Sequence, residues 1–234
     1  MSDMELLSRP VLDEISQCPY LVHMDKRYEY FFARNLNEEE ISSILAKGWR
    51  KFGIHFFRPS CPNCIDCIPL RVLVPHFSPS KSQRRVLKRC ENVEIRFVEP
   101  KFTERVYEIF ESHSKERFSL ETDLEDFAVS FYTPSCPGLQ SEYFIDGEMA
   151  GVGFIDIGKD CLSSVYFAFD PKFSDYGLGT FSILKEIEHA NSMGLAYYYL
   201  GYYVPGCSRM AYKDRFLPRE YYRWEEDVWL MSGS

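Results

Sequence analysis

Between Ser163 and Leu200 the chain sets out a strand, a glycine turn, a helix and a second strand with little slack between them. Ser163-Ser164-Val165-Tyr166-Phe167-Ala168-Phe169 alternates as a strand, and Asp170-Pro171 ends it. Asp175-Tyr176-Gly177-Leu178-Gly179-Thr180 is a glycine turn opening a helix through about Asn191, followed by an aromatic strand from Ala196 to Leu200. A strand feeding a glycine turn at a helix N-terminus makes an anion site, because free backbone N–H groups and the helix dipole converge there. Here Ser174 leads the turn and Asp175 follows, and the charge of Asp175 opposes a pyrophosphate. The same spacing also suits an ordinary strand–helix junction whose glycines allow tight packing.

The 234 residues can bury one good core or two small ones. With 19 Phe, 16 Tyr and 3 Trp, the composition suits a β-rich core and a wide cleft. No apolar run approaches the roughly 20 residues of a membrane span, and Met1-Ser-Asp-Met-Glu-Leu-Leu lacks the basic start of a signal peptide. The expectation is a cytoplasmic protein with no membrane partner, in which the 8 cysteines are thiols or metal ligands rather than disulfides. The net charge of −8 is unevenly spread. Lys47 to Arg105 holds 13 Lys/Arg against 5 Asp/Glu, so one face can attract a polyanion while the remainder is acidic.

A helix is expected over Asn37–Lys47, with Glu38, Glu39 and Glu40 in its first turn and Gly48 after its end. Ile54–Arg58, Pro69–Val74 and Val93–Val98 read as strands, and Ser8–Tyr28 as irregular. Helices are expected over Thr103–Arg117, with His113 packed on its apolar face, and over Leu124–Phe131. Asp146-Gly147 between apolar runs marks a hairpin. Residues 1–100 therefore read as an N-terminal α/β module and 101–234 as a second domain.

Three constellations carry chemistry. Cys18, Cys61, Cys64 and Cys67 include a double C-x-x-C register that suits a structural zinc or an iron–sulfur cluster, or equally packed thiols. In Ser80–Arg89, Lys81, Arg84, Arg85 and Lys88 fall on one helical face, with Gln83 beside them; like charges four apart repel, and RNA phosphates would relieve them. Trp49, Arg50 and Lys51 extend that surface with a stacking ring. From Tyr197 to Lys213 tyrosines are too dense to be buried without partners for their hydroxyls, so Tyr199, Tyr202, Cys207, Met210, Tyr212 and Lys213 are expected around a polar cleft, or in a β-rich core with the hydroxyls at its rim.

Cys18-Pro-Tyr-Leu, Gly48-Trp-Arg-Lys, Phe57-Arg58-Pro59, Cys64-Ile-Asp-Cys67-Ile-Pro-Leu-Arg71, Ser80-Lys-Ser-Gln-Arg-Arg85, Ser163-Ser-Val-Tyr-Phe167, Asp170-Pro171, Leu178-Gly179 and Leu200-Gly-Tyr-Tyr-Val204 through Met210-Ala-Tyr-Lys213 follow one another in an order that resembles the arginyltransferase family. They most resemble its bacterial branch, the aspartate/glutamate leucyltransferases. The resemblance implies an α+β protein: an acetyltransferase-like (GNAT-type) mixed sheet flanked by helices, with a smaller Cys-containing N-terminal module packed against it. It implies transfer of leucine from leucyl-tRNA to acceptor proteins with a free N-terminal Asp or Glu, whose products enter the N-degron route, with no cofactor required for the chemistry. A different donor or acceptor, a coenzyme A-dependent N-acetyltransferase or a non-enzymatic RNA-binding protein are the alternative readings. Cys18 is followed by Pro19-Tyr20-Leu21 rather than a second cysteine, so no ligand set carries over.

For an activated ester the enzyme mainly aligns an amine and manages a proton. Asp170 is the candidate proton acceptor, or else only the cap of the turn at Pro171, with Tyr166 and Tyr199 positioning the ester or donating to the departing ribose hydroxyl. Arg58, Arg71 and Lys213 are candidate partners for the acceptor's carboxylate, and Ser164 lies in the same donor and acceptor pocket. The sequence leaves the oligomeric state open.

Overall fold

The computed structural model describes residues 4–231. An N-terminal sheet combines β1 (Glu5–Leu6), β2 (Val11–Leu12), β5 (Tyr28–Arg34), β6 (Arg50–Phe52) and β7 (His55–Pro59), while β3 (Ser16–Gln17) and β4 (Asp25–Lys26) pair separately. The remaining strands are β8 (Ile68–Leu73), β9 (Glu94–Val98), β10 (Gly138–Ile145), β11 (Glu148–Ile157), β12 (Cys161–Phe169), β13 (Tyr197–Tyr203), β14 (Arg219–Arg223) and β15 (Val228–Met231). They form one mixed sheet in the order β15-β14-β8-β13-β12-β11-β10-β9. The helices are α1 (Glu38–Ala46), α2 (Lys81–Arg89), α3 (Glu104–Phe118), α4 (Leu124–Tyr132) and α5 (Leu178–Ser192). None of the described helices is long and apolar enough to cross a membrane.

Local chemistry explains most of these boundaries. Asn37 and Glu40 form a reciprocal capping box at the start of α1, and Ser80 with Gln83 does the same for α2. The β10–β11 hairpin turns through Asp146 and Gly147, both with positive φ, as a type I′ turn needs.

The large sheet is covered on both faces. On one, α5 packs Ile183, Leu184 and Ile187 against Leu70, Leu162, Tyr198 and Leu200. On the other, α3 and α4 bring Val106, Ile109 and Phe127 against Val152, Phe154 and Ala168. Beside them the N-terminal sheet and α1 bury Phe31, Ile41, Leu45, Trp49 and Phe56 with Cys161 and Tyr199 of the large sheet.

The boundary expected at residue 100 therefore cuts through the large sheet. β8 lies between β13 and β14, and β9 forms its edge beside β10. A strand in the residue 1–100 half completes a sheet made mostly by the other half, because β8 is buried from Pro69 to Val72 and takes a central position.

Lys51 and Asp156 pin the two sheets together at 2.8 Å, each with 8% of its side chain exposed. Removing one member of such a pair strands the other charge in a dry interior. Asp156→Asn should lower the free energy of unfolding by about 3–5 kcal/mol in urea melts at neutral pH, and the Lys51→Met/Asp156→Leu double variant should lose much less.

Candidate functional site

The parallel pairing of β12 with β13 stops early. Cys161, Leu162 and Ser163 pair with Tyr197, Tyr198 and Tyr199, and no further pairs follow. Past that point β12 stays with β11 as far as Phe169, while β13 follows β8 through Tyr203. The two strands part, and their facing edges open a wedge in the sheet.

Two cations occupy the base of the wedge. Arg50 reaches across from β6, donating from Nη1 to Ser163 Oγ at 2.8 Å and from Nη2 to the Ser164 carbonyl. Lys213, from the short helical turn Ala211–Arg215, donates from Nζ to the Tyr202 carbonyl at 3.1 Å. Gly201 makes room for both. Its φ of +82° follows a register shift in β13, and a Cβ there would lie 3.3 Å from Lys213 Nζ and 3.7 Å from Arg50 Nε.

Neither charge has a carboxylate at ion-pair distance among the described residues, although Asp156 acts on Arg50 from farther off. Lys51, next to Arg50 in sequence, pairs with Asp156 directly. Burial, then the nearby Arg50 charge, brings the Lys213 ammonium down to about 7. Burial also lowers the Arg50 guanidinium. A desolvated cationic pair is unfavourable until a negative group joins it.

The expected acceptor partners Arg58 and Arg71 are engaged elsewhere. Arg58 pairs with Glu29 at 2.7 Å and stacks on Trp49. Arg71 pairs with Glu220 at 2.7 Å, donates to Tyr199 Oη at 3.0 Å and lies over Tyr197 and Trp229. Tyr199 is thereby committed to holding β13 against β8 and β14. Tyr202 donates its hydroxyl to the Gly48 carbonyl at 3.0 Å, joining the wedge to the N-terminal sheet.

Asp170 sits in a different environment from a proton acceptor. Burial alone would raise its carboxyl, but Arg105 at 2.6 Å and the Lys172 N–H at 3.1 Å outweigh it and hold the group below the ordinary carboxylate range. It caps the turn at Pro171 and anchors α3. Tyr166 packs among Phe110, His113 and Phe131. Tyr212 and Met210 are part-buried beside the wedge, while Cys207 is buried. His113 is a packed histidine as expected, brought down to about 4 chiefly by burial and bonded to the Phe169 backbone.

The surface assigned to RNA contracts. Trp49, Arg50 and Lys51 are all buried, because β6, the edge strand of the N-terminal sheet, packs against the large sheet at β12, and Gln83 is buried as a cap whose Nε2 donates to the Arg215 carbonyl. Lys81, Arg84, Arg85, Lys88 and Arg89 remain exposed on α2. Arg89 donates to the Asp175 carbonyl at 2.7 Å, so this basic face abuts the turn that opens α5.

Cys18 and Cys64 accept backbone N–H groups from Leu21 and Asp66, and Cys61 donates to the Arg27 carbonyl. Burial, with the nearby Cys61, Cys18 and Cys64, pushes the Cys67 thiol up to about 12. Among the described residues no group of three or more His, Cys, Asp or Glu side chains is placed to hold a metal ion.

Sequence reasoning missed Glu186. It is buried on α5, one position before Ile187, and a charge among the apolar positions Ile183, Ile187 and Ala190 was the available signal.

Two family models cover most of the chain: arginine-tRNA-protein transferase, N terminus, over residues 16–85, and the corresponding C terminus over residues 102–223. A protein of Helicobacter hepaticus named aspartate/glutamate leucyltransferase is 32% identical, over 93% of this chain and 95% of its own. One of the same name from Campylobacter jejuni is 34% identical, over 87% and 88%. Among solved structures, FemX matches with a TM-score of 0.52 at 8% identity, over 89% of this chain and 84% of its own, which is a likeness of fold. The chain belongs to the arginine-tRNA-protein transferase family.

Proposed function

We propose that this protein is an aspartate/glutamate leucyltransferase, joining leucine from leucyl-tRNA to the α-amine of proteins that begin with Asp or Glu. The observation that carries this reading is the buried Arg50 beside the part-buried Lys213, neither with an ion-pair partner among the described residues, at the base of a split sheet. The wedge between β12 and β13, with α5 crossing between them, supports a GNAT-type acyl-transfer reading of the fold. The activated leucyl ester lies along the opened edge, and the acceptor's side-chain carboxylate sits against Arg50 and Lys213. Both cations then gain an ion-pair partner, and the neighbouring α-amine is directed at the ester carbonyl. Leucyl-tRNA is held through its phosphates by the exposed cations of α2. The product, bearing an N-terminal leucine, is an N-degron substrate in the cytoplasm.

The direct test is label transfer from leucyl-, phenylalanyl- and arginyl-tRNA to peptides starting with Asp, Glu, Asn, Lys or Arg. Leucine should appear on Asp and Glu peptides; transfer confined to basic N-termini would refute the reading.

Lys213→Gln should raise the acceptor KM about 10- to 100-fold, the loss of one charge-assisted hydrogen bond, with a smaller change in kcat. The Lys213 ammonium must be charged to hold a carboxylate, so preference for Asp over Asn peptides should fall as pH rises through about 7. The ratio of the two kcat/KM values reports this, because ionisation of the attacking amine is nearly common to both peptides. Replacing Arg84, Arg85 and Lys88 together by Ala should weaken leucyl-tRNA binding and reduce its log–log salt slope by about 2 to 3; filter binding at several salt concentrations measures it.

A further inference from the structure

One side chain of α2 turns inward while its neighbours face solvent. Lys81, Arg84, Arg85 and Lys88 are exposed, but Gln83 is 4% exposed and its amide is bonded at both ends. Oε1 accepts the Ser80 N–H at 2.8 Å, which closes the capping box, and Nε2 donates to the Arg215 carbonyl at 3.1 Å. Only this orientation of the amide fits, since the flipped one would set its NH2 against an N–H and its oxygen against a carbonyl. At the matching position of α1 the cap is made by Glu40, which when ionised has no proton to donate. The glutamine of α2 caps its helix and holds Arg215 as well.

Arg215 closes the short turn Ala211–Arg215, which carries Lys213 two residues earlier. Asp214 ties this turn to Arg219 and Tyr221 of β14, and Phe216 just beyond it is buried and stacks on Phe77. Gln83 holds it from the side of α2. The helix is itself anchored at its far end, where Arg89 and the Cys90 thiol donate to the Asp175 and Tyr176 carbonyls at 2.7 and 3.3 Å. It is therefore a fixed support for the turn.

Building on the transfer reaction above, we propose that Gln83 is a positioning residue for it: the amide keeps the Ala211–Arg215 turn, and with it Lys213, in register with the helix that grips leucyl-tRNA. Gln83 touches neither substrate. Its outward neighbours Arg84 and Arg85 take the phosphates, while its own side chain reaches the turn whose lysine meets the acceptor's carboxylate. One turn of helix thus sets the spacing between two substrates that have to meet at bonding distance, where a misplacement of about 1 Å is costly. Without the bond to Arg215 the turn loosens, and Lys213 leaves its place 3.1 Å from the Tyr202 carbonyl. The acceptor's carboxylate then finds one cation in position rather than two. The loss falls on acceptor binding, because the exposed cations of α2 remain on a folded helix.

Two variants separate this role from capping. Gln83→Met and Ser80→Ala each remove one half of the capping box, but only Gln83→Met also removes the donor to Arg215. Leucine transfer to Asp and Asn peptides, calorimetric binding of the Asp peptide and filter binding of leucyl-tRNA are compared with wild type, at a temperature where circular dichroism shows every protein folded. Gln83→Met should raise the acceptor KM and weaken Asp-peptide affinity about 5- to 10-fold, the loss of one hydrogen bond, with kcat and leucyl-tRNA affinity within about twofold of wild type. Its preference for Asp over Asn should fall. Ser80→Ala should match wild type in all of these. Suppose wild type transfers leucine. If Gln83→Met then keeps its KM and Asp preference, if Ser80→Ala changes them as much, or if leucyl-tRNA affinity falls in step, the positioning role is overturned and the transferase reading stands. A wild-type protein inactive with every aminoacyl-tRNA overturns both.

Discussion

Arg50 holds the structure and its chemistry in one interaction. Its guanidinium leaves the N-terminal sheet, crosses the interface and bonds to Ser163 and the Ser164 carbonyl where the large sheet begins to split. An arginine suits this task because its planar fork satisfies two acceptors at once and stays charged even when desolvated. The contact ties the two sheets together, fixes the edge of β12 along the wedge and places a positive charge at its base. Lys213 adds a second, against a glycine whose missing side chain is a condition of their approach.

The other buried cations of this region show by contrast what is special there. Lys51 is matched by Asp156, Arg71 by Glu220 and Arg219 by Asp214. Each of those pairs is structural: the charge is spent where it stands, joining strand to strand. An anion brought from outside would relieve Arg50 and Lys213, and in the proposed reaction that anion is the acceptor's side-chain carboxylate. On that proposal a neutral acceptor side chain would leave both cations without an ion-pair partner, which favours an acidic N-terminus.

Much of this was legible in the chain. The capping residues Asn37, Ser80 and Thr103 start helices where expected, and Asp146-Gly147 turns its hairpin. These signals are local and survive without tertiary context. The family was legible too, because its short motifs occur in a specific order. Less visible was which side of the structure each cation would face. Trp49, Arg50 and Lys51 look like surface in a basic stretch, but β6 and the residue before it pack against the large sheet, a fact set by distant strands. Strand β5 was missed because Glu29 and Arg34 interrupt its apolar pattern; Glu29 is compensated by Arg58 and Arg34 by Glu5. Asp170 illustrates the same limit: its position at a strand end was right, but Arg105, far away in sequence, decides its charge state.

The account stands on Lys213 being a desolvated cation that waits for an acceptor carboxylate. NMR of the lysine side-chain amines, with Lys213 assigned by its Gln variant, measures this directly. Without ligand, Lys213 should titrate near pH 7, and an Asp-initiated peptide should raise that value while its Asn counterpart leaves it nearly unchanged. A Lys213 that titrates like an exposed lysine, or responds equally to both peptides, would contradict the account.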